Sequence, residues 1–291
     1  MSDFPEYAQV NRQHWNRHAD WWVNPGRRSW DSDQRRWGIW GIANDELAAL
    51  YERLREHPFF LQCPFIRDVR VHDGVPYTVE TRLPGNPMSE VCRSLDDDDR
   101  RRILRNYMDT LCELRAVEVD DVEFGGLISS TAWLTARTWE EFLRRQLAAP
   151  LDRVGTRLSA EITDLERTVT RLESLLNGPM GWDRKSLVHG DAFPHNVLVG
   201  DQGEVTAILD FGKDTLIGEP RLDIAIAVEL TELAGFTAED TAYLHELPPG
   251  DPVEVNAIRV YTAILLATRH HHYTRLVEKC MDSLHATIGT F

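Results

Sequence analysis

The sequence predicts an α+β fold in which a short β-patterned stretch precedes a long, mainly helical one. Three observations carry that expectation. A D-G pair, Asp73-Gly74, joins two alternating apolar runs at 65–71 and 75–83. Apolar stripes with helical spacing dominate from residue 96 onward. Between residues 186 and 211, short β-like runs interrupt the helices and collect polar side chains.

The elements follow in order. Residues 1–43 form a Trp/Arg-rich N-terminal segment holding Trp15, Trp21, Trp22, Trp30, Trp37 and Trp40, six of the chain's nine tryptophans. Such a segment packs against the rest of the fold or covers a ligand. Residues 44–56 predict a helix, with Leu47, Leu50, Tyr51 and Leu54 on one face and Asn44 or Asp45 as cap. The hairpin at 65–83 follows, ended by Leu83-Pro84-Gly85. Residues 96–117 predict a helix striped by Ile103, Tyr107, Leu111 and Leu114, with four aspartates facing its N-terminal dipole. Thr138 and Glu141 have capping-box spacing. Residues 159–176 predict another helix, stopped by Asn177-Gly178-Pro179. Three strand-like runs then occupy 186–211, with a turn at 200–203, and helices fill the remainder around Pro248-Pro249-Gly250.

Composition narrows the function classes. The chain has 291 residues, 42% of them hydrophobic and 27% charged, which suits a packed globular protein. No apolar run approaches the roughly 20 residues of a bilayer span, and MSDFPEYAQV has no signal-peptide pattern. No membrane association is expected. Cys63, Cys92, Cys112 and Cys280 include no C-x-x-C pair, which fits a reducing cytoplasm better than a disulfide framework. The net charge of −15 disfavours nucleic acid and weakly favours a cationic small molecule. Lys185, Lys213 and Lys279 are the only lysines. The run His270-His271-His272 does not converge on one ion, because adjacent helical residues point apart.

The chemistry concentrates in Leu187–Ala225. His189, Asp191, Asn196 and Asp210 are polar side chains beside apolar strands, and a hairpin return would bring Asp210 back to the Asp191–Asn196 loop. Oxygen ligands facing a carboxylate suit Mg²⁺, which completes its shell with water and substrate phosphates. Phosphoryl transfer needs that neutralised phosphate and a carboxylate orienting the attacking hydroxyl.

The ordered motifs His189-Gly190-Asp191, Asn196, Asp210-Phe211-Gly212, Gly218-Glu219-Pro220 and Asp223 resemble the aminoglycoside phosphotransferase family, which is related to choline kinases. The resemblance implies a protein-kinase-like fold of two lobes: a reduced N-terminal lobe at 44–83 and a C-terminal catalytic lobe at 84–291. It implies transfer of the γ-phosphate of ATP or GTP to a hydroxyl of a small molecule, such as an antibiotic or natural product. Asp191 would be the catalytic aspartate and His189 would brace its loop. Asn196 and Asp210 would hold Mg²⁺, and Asp223 would hydrogen-bond the catalytic loop. Backbone at Thr81, Arg82 and Leu83 would face the adenine. Glu219, Glu229, Glu232 and Asp240 are candidates to line the acceptor site.

Two departures stand out. No glycine-rich phosphate loop precedes residue 44, and the first 184 residues contain no lysine. Arg27, Arg28, Arg35 or Arg36 are candidates to replace the phosphate-clamping lysine, although arginine is not its isostere. The opening stretch also resembles the leader of some SAM-dependent methyltransferases, with no SAM-binding turn after it. These departures leave a second reading open: a pseudokinase or binding module, or a cleft repurposed for non-phosphoryl biosynthetic chemistry.

Overall fold

A computed structural model describes residues 36–37, 42–43, 66–72, 75–114, 117, 119, 123–127, 134–148, 165–176, 185–212, 214–247, 252–269 and 274–288. The expected helix at 44–56, most of the Trp-rich segment, Lys213 and the triple histidine lie outside these residues.

Two hairpins open the described chain. β1 (Arg36–Trp37) pairs with β2 (Ile42–Ala43), and β3 (Ile66–His72) pairs with β4 (Val75–Glu80). The second matches the D-G expectation, with His72 opposite Val75. β4 stops at Glu80 rather than running to 83. There Leu83 turns inward onto Leu198, Ala207 and Leu209, and the Pro84 carbonyl accepts a 2.7 Å bond from Thr206 Oγ1.

β5 (Asn86–Pro87) adds to a three-stranded antiparallel sheet with β9 (Val197–Val199) and β10 (Val205–Ile208). A short helix α1 (Met88–Val91) follows, then α2 (Asp97–Glu113). Asp96 caps α2 by accepting from Asp99 N at 3.0 Å, and three more aspartates fill its first turn. Its buried stripe is Ile103, Leu104, Tyr107, Met108 and Leu111.

A second antiparallel sheet has the order β7 (Thr135–Ala136), β6 (Phe124–Gly126), β11 (Leu216–Gly218), β8 (Ser186–Val188). Helix α3 spans 139–148, and Thr138 Oγ1 accepts from Glu141 N at 3.2 Å at its start. The helices α4 (Leu165–Leu176), α5 (Arg221–Thr231), α6 (Ala238–Glu246), α7 (Pro252–Arg269) and α8 (Thr274–Ile288) complete the lobe.

Two cores hold the lobe together. One joins α2, α5 and the strands that flank residues 189–196. The other packs α3, α4, α7 and α8 around Trp139, Phe142 and Tyr261, with Trp139 and Phe142 stacked at 5.1 Å. Because α5 contributes to both, it is buried nearly all round, including Asp223 in its first turn.

Candidate active site

The segment 189–196 leaves β8 and enters β9 as a loop fixed by its neighbours. α5 supplies Asp223, 1% exposed, whose Oδ2 accepts from His189 N and Oδ1 from Gly190 N, each at 2.7 Å. α2 supplies Tyr107, whose hydroxyl donates to the Ala192 carbonyl. At the start of α1, Ser89 N donates to Pro194 O at 3.2 Å.

Gly190 is the residue this turn requires. Its φ is +79°, and a Cβ there would overlap the Asp214 carbonyl oxygen. The backbone approach brings the loop against the turn after Asp210.

His189 is fully buried. Its Nδ1 accepts from Asp191 N at 3.1 Å, and its Nε2 lies 2.9 Å from the Leu209 carbonyl, so the proton sits on Nε2. Burial pushes its pKa down to about 4, against the raising pull of the Leu209 carbonyl. The ring therefore stays neutral near pH 7, with both nitrogens occupied in holding Asp191 and Leu209. Phe211 packs on it at 4.3 Å between ring centres.

The Asn196 amide nitrogen donates to Asp191 O at 2.9 Å and to Asp191 Oδ2 at 3.3 Å. This commits the nitrogen and leaves the amide oxygen as the group suited to a hard cation. Leu209 N donates to Asn196 O at 2.7 Å, which places Asp210 one residue beyond that bond. Asp210 is exposed and has φ +63°, the one non-glycine residue with positive φ among those described. Left-handed backbone at an aspartate stores strain of about 1–3 kcal/mol.

The structure thus gathers His189, Asp191, Asn196, the Asp210 turn and Asp223 around one loop. Of Thr81, Arg82 and Leu83, Leu83 packs against Leu198, Ala207 and Leu209, the last being the residue before Asp210. Glu219, Glu229, Glu232 and Asp240 each take another partner. Glu219 pairs with Arg221 at 3.0 Å, Glu232 with Lys279 at 2.5 Å and Asp240 with Arg100 at 2.8 Å. Buried Glu229 accepts from Ser283 Oγ at 2.6 Å. Among the described residues, no three His, Cys, Asp or Glu side chains form a metal-binding group by themselves.

Sequence reasoning missed Thr215. Its buried hydroxyl accepts from Gly212 N at 2.9 Å and donates to the His189 carbonyl at 3.3 Å. It ties the turn after Asp210 to the start of the Asp191 loop. Nothing but its position within the motif-bearing segment marks it. Thr215→Val keeps its shape and removes both bonds, so chemical denaturation should show a loss of about 1–3 kcal/mol, while Thr215→Ser should lose less. A loss in Thr215→Ser with none in Thr215→Val would mean the methyl group, not the hydroxyl, matters.

The buried neutral His189 also sets a pH dependence. Its folded pKa lies below the ordinary 6.5, so its stabilising share is complete above 6.5 and is lost as pH falls toward 4. The stability gap between wild type and His189→Gln should therefore narrow across that window in denaturation curves. A gap constant from pH 7 to 4 would contradict a neutral buried ring.

Comparison with known proteins bears on this arrangement. Residues 43–253 match the phosphotransferase enzyme family. No curated protein matches the sequence. Among solved structures, a thermostable mutant of aminoglycoside phosphotransferase APH(4)-Ia in ternary complex with AMP-PNP and hygromycin B is similar. It has a TM-score of 0.60 and 16% identity, and the alignment covers 82% of each chain. Another mutant of that protein, with ADP and hygromycin B, gives a TM-score of 0.63 at 14% identity over 84% of this chain and 81% of that one. The gentamicin complex of APH(2")-IIa gives 0.50 at 18% identity over 82% and 79%. At such identities the likeness establishes the fold, a protein-kinase-like α+β architecture with a helical C-terminal lobe. The family match spans most of the sequence, and the chain belongs to the phosphotransferase enzyme family.

Proposed function

We propose that this phosphotransferase moves the γ-phosphate of ATP or GTP to a hydroxyl of a small molecule. The observation that carries the reading is the joining of the Asp191 loop to the Asp210 turn through Asn196, His189 and Thr215. Solved relatives of the same fold hold AMP-PNP or ADP beside hygromycin B, which supports a nucleotide and a small-molecule acceptor.

In this reading Asp191 accepts the acceptor's hydroxyl proton. The hydroxyl oxygen then bonds to the γ-phosphorus, the bond to the β-phosphate bridging oxygen breaks, and the nucleoside diphosphate leaves. The Asn196 amide oxygen and the Asp210 carboxylate are the groups that fit Mg²⁺. Bound there, the ion would neutralise phosphate charge. With only two protein ligands, its remaining positions would fall to phosphates and water.

His189 positions rather than exchanges protons, because both its nitrogens are engaged. Asp223 fixes two successive backbone N–H groups. Burial pushes its carboxyl up to about 7, against the lowering effect of those two donors. Backbone at Thr81 to Leu83 faces the adenine, and the chain divides at 43 and 83 into leader, small lobe and catalytic lobe. The acceptor class extends to antibiotics and natural products, cationic ones favoured by the chain's acidic balance. A cytoplasmic setting fits; among the described residues no helix is long and apolar enough to cross a membrane.

Calorimetry of the full chain with ATP and GTP, with and without Mg²⁺, tests the nucleotide half of this reading. Binding that requires Mg²⁺ is expected. No binding at millimolar nucleotide would favour the pseudokinase reading, to which the missing N-terminal lysine already points.

A further inference from the structure

Asn106 and Tyr107 are consecutive in α2, and they reach different parts of the catalytic segment. Asn106 Nδ2 donates to the Gly203 carbonyl at 2.9 Å, in the turn that joins β9 to β10. Asn196 precedes β9 and Asp210 follows Leu209 after β10, so the open end of this hairpin carries both groups that fit Mg²⁺. Tyr107 instead donates to the Ala192 carbonyl, one residue past Asp191. The helix is anchored on α6, through Arg100 to Asp240 at 2.8 Å and Arg105 to Tyr243 at 2.8 Å.

Packing alone does not call for the Tyr107 hydroxyl. Phenylalanine fills nearly the same volume, and a buried hydroxyl needs a partner. The Tyr107 side chain is fully buried. Burial, then the fields of Asp223 and Asp191, push its phenol well above the ordinary range, so it keeps its proton and donates. Its acceptor closes a bracket around Asp191. Asp223 fixes the loop before that residue, at His189 N and Gly190 N, and Tyr107 fixes it after.

We propose that Tyr107 is a positioning residue for phosphoryl transfer, its hydroxyl aiming the Asp191 carboxylate through the Ala192 carbonyl. The inference rests on the reading of Asp191 as the group that takes the acceptor's proton. Without that bond the 192–193 peptide is free to rotate, and the backbone that carries Asp191 loses its hold on that side. Asn196 and Asp210 keep their places, because the hairpin holds them through Leu209 N to Asn196 O at 2.7 Å. Displacing a reacting group by about 1 Å costs up to about 10²-fold in rate. Nucleotide affinity, which belongs to the hairpin side, is spared.

The test compares Tyr107→Phe with Asn106→Ala in the full chain, since each deletes one bond from α2 to a backbone carbonyl. Steady-state hydrolysis of Mg-ATP and Mg-GTP, with water as the acceptor, gives kcat and KM. Carbon NMR of carboxyl-labelled aspartate reads Asp191 Cγ, assigned by its loss in Asp191→Asn. Tyr107→Phe should lower kcat by about 10–100-fold, hold KM within about threefold and move or broaden the Asp191 signal. Asn106→Ala should lower thermal stability alone. An amino-for-hydroxyl analogue, 4-aminophenylalanine in place of Tyr107, keeps a weaker donor on the same ring and should fall between wild type and Tyr107→Phe. It takes the place of Tyr107→Phe if thermal unfolding finds that variant unfolded.

Unchanged kcat in a folded Tyr107→Phe protein would overturn the proposal, as would an equal fall of kcat in Asn106→Ala or an unmoved Asp191 signal. Hydrolysis unchanged in Asp191→Asn would instead refute the reading of Asp191 as the base. In that case, or if wild type hydrolyses neither nucleotide, the Asp191 signal alone decides whether Tyr107 aims the carboxylate.

Discussion

Asp191→Asn should lower the rate of phosphoryl transfer by about 10²–10⁴ while leaving Mg-nucleotide affinity within a few fold. The asparagine preserves the shape of the side chain but cannot take a proton from a hydroxyl. The loop should survive the change, because its hold on the fold runs mostly through other atoms. Asp223 grips His189 N and Gly190 N, Tyr107 grips the Ala192 carbonyl, and Asn196 Nδ2 reaches the Asp191 backbone oxygen. The side-chain bond from Asn196 to Asp191 Oδ2, at 3.3 Å, is the longer of the two that this amide makes. Initial rates with a responsive acceptor, alongside nucleotide calorimetry, separate the two effects. A parallel fall in both would mean that Asp191 holds the site together rather than serving the chemistry.

Asp210→Gly should abolish Mg-dependent nucleotide binding and yet leave the protein as stable as wild type, or more so. The aspartate occupies φ +63°, a conformation glycine adopts without a steric penalty. Its side chain is exposed, so removing it opens no hole in the core. Relief of strain is offset in part by the extra freedom glycine gives the unfolded chain, about 0.4–1 kcal/mol, so the net change should lie between about zero and a gain of about 2 kcal/mol. Thermal unfolding and calorimetry on the same sample read both quantities. A large loss of stability would assign the strained aspartate a structural role and remove the reason to see it as a metal ligand.

How far these features can be read from the sequence depends on how local their causes are. The hairpin at 66–80 is written in a D-G turn and two alternating runs, all within neighbouring residues. α2 is written in its stripe and its aspartates. By contrast β6, β7 and β11 are two or three residues long and show no periodicity. Their strand character comes from pairing across distance, such as Gly126 with Leu216. Likewise β5 exists because Asn86 and Pro87 meet Val199 and Leu198.

The site divides in the same way. Asp191 and Asn196 share a loop, so their closeness follows from spacing. Asp223 is 33 residues from Gly190, and no local rule joins them; the family resemblance alone raised it as a partner. Thr215 went unnoticed because a single buried hydroxyl linking two turns leaves no pattern. The four acidic residues considered for an acceptor site are engaged with Arg221, Ser283, Lys279 and Arg100; Arg221 is two residues from Glu219, and the packing of helices brings the other three near.

The most direct test of the central claim is transfer itself. The full chain is incubated with Mg²⁺, ATP or GTP and a panel of hydroxyl-bearing small molecules, cationic and neutral, and products are read by mass spectrometry. The expected result is one phosphorylated acceptor and one nucleoside diphosphate per turnover, both absent with Asp191→Asn. Mg-nucleotide binding without transfer to any acceptor, or turnover that needs Asp191 but no nucleotide, would contradict it.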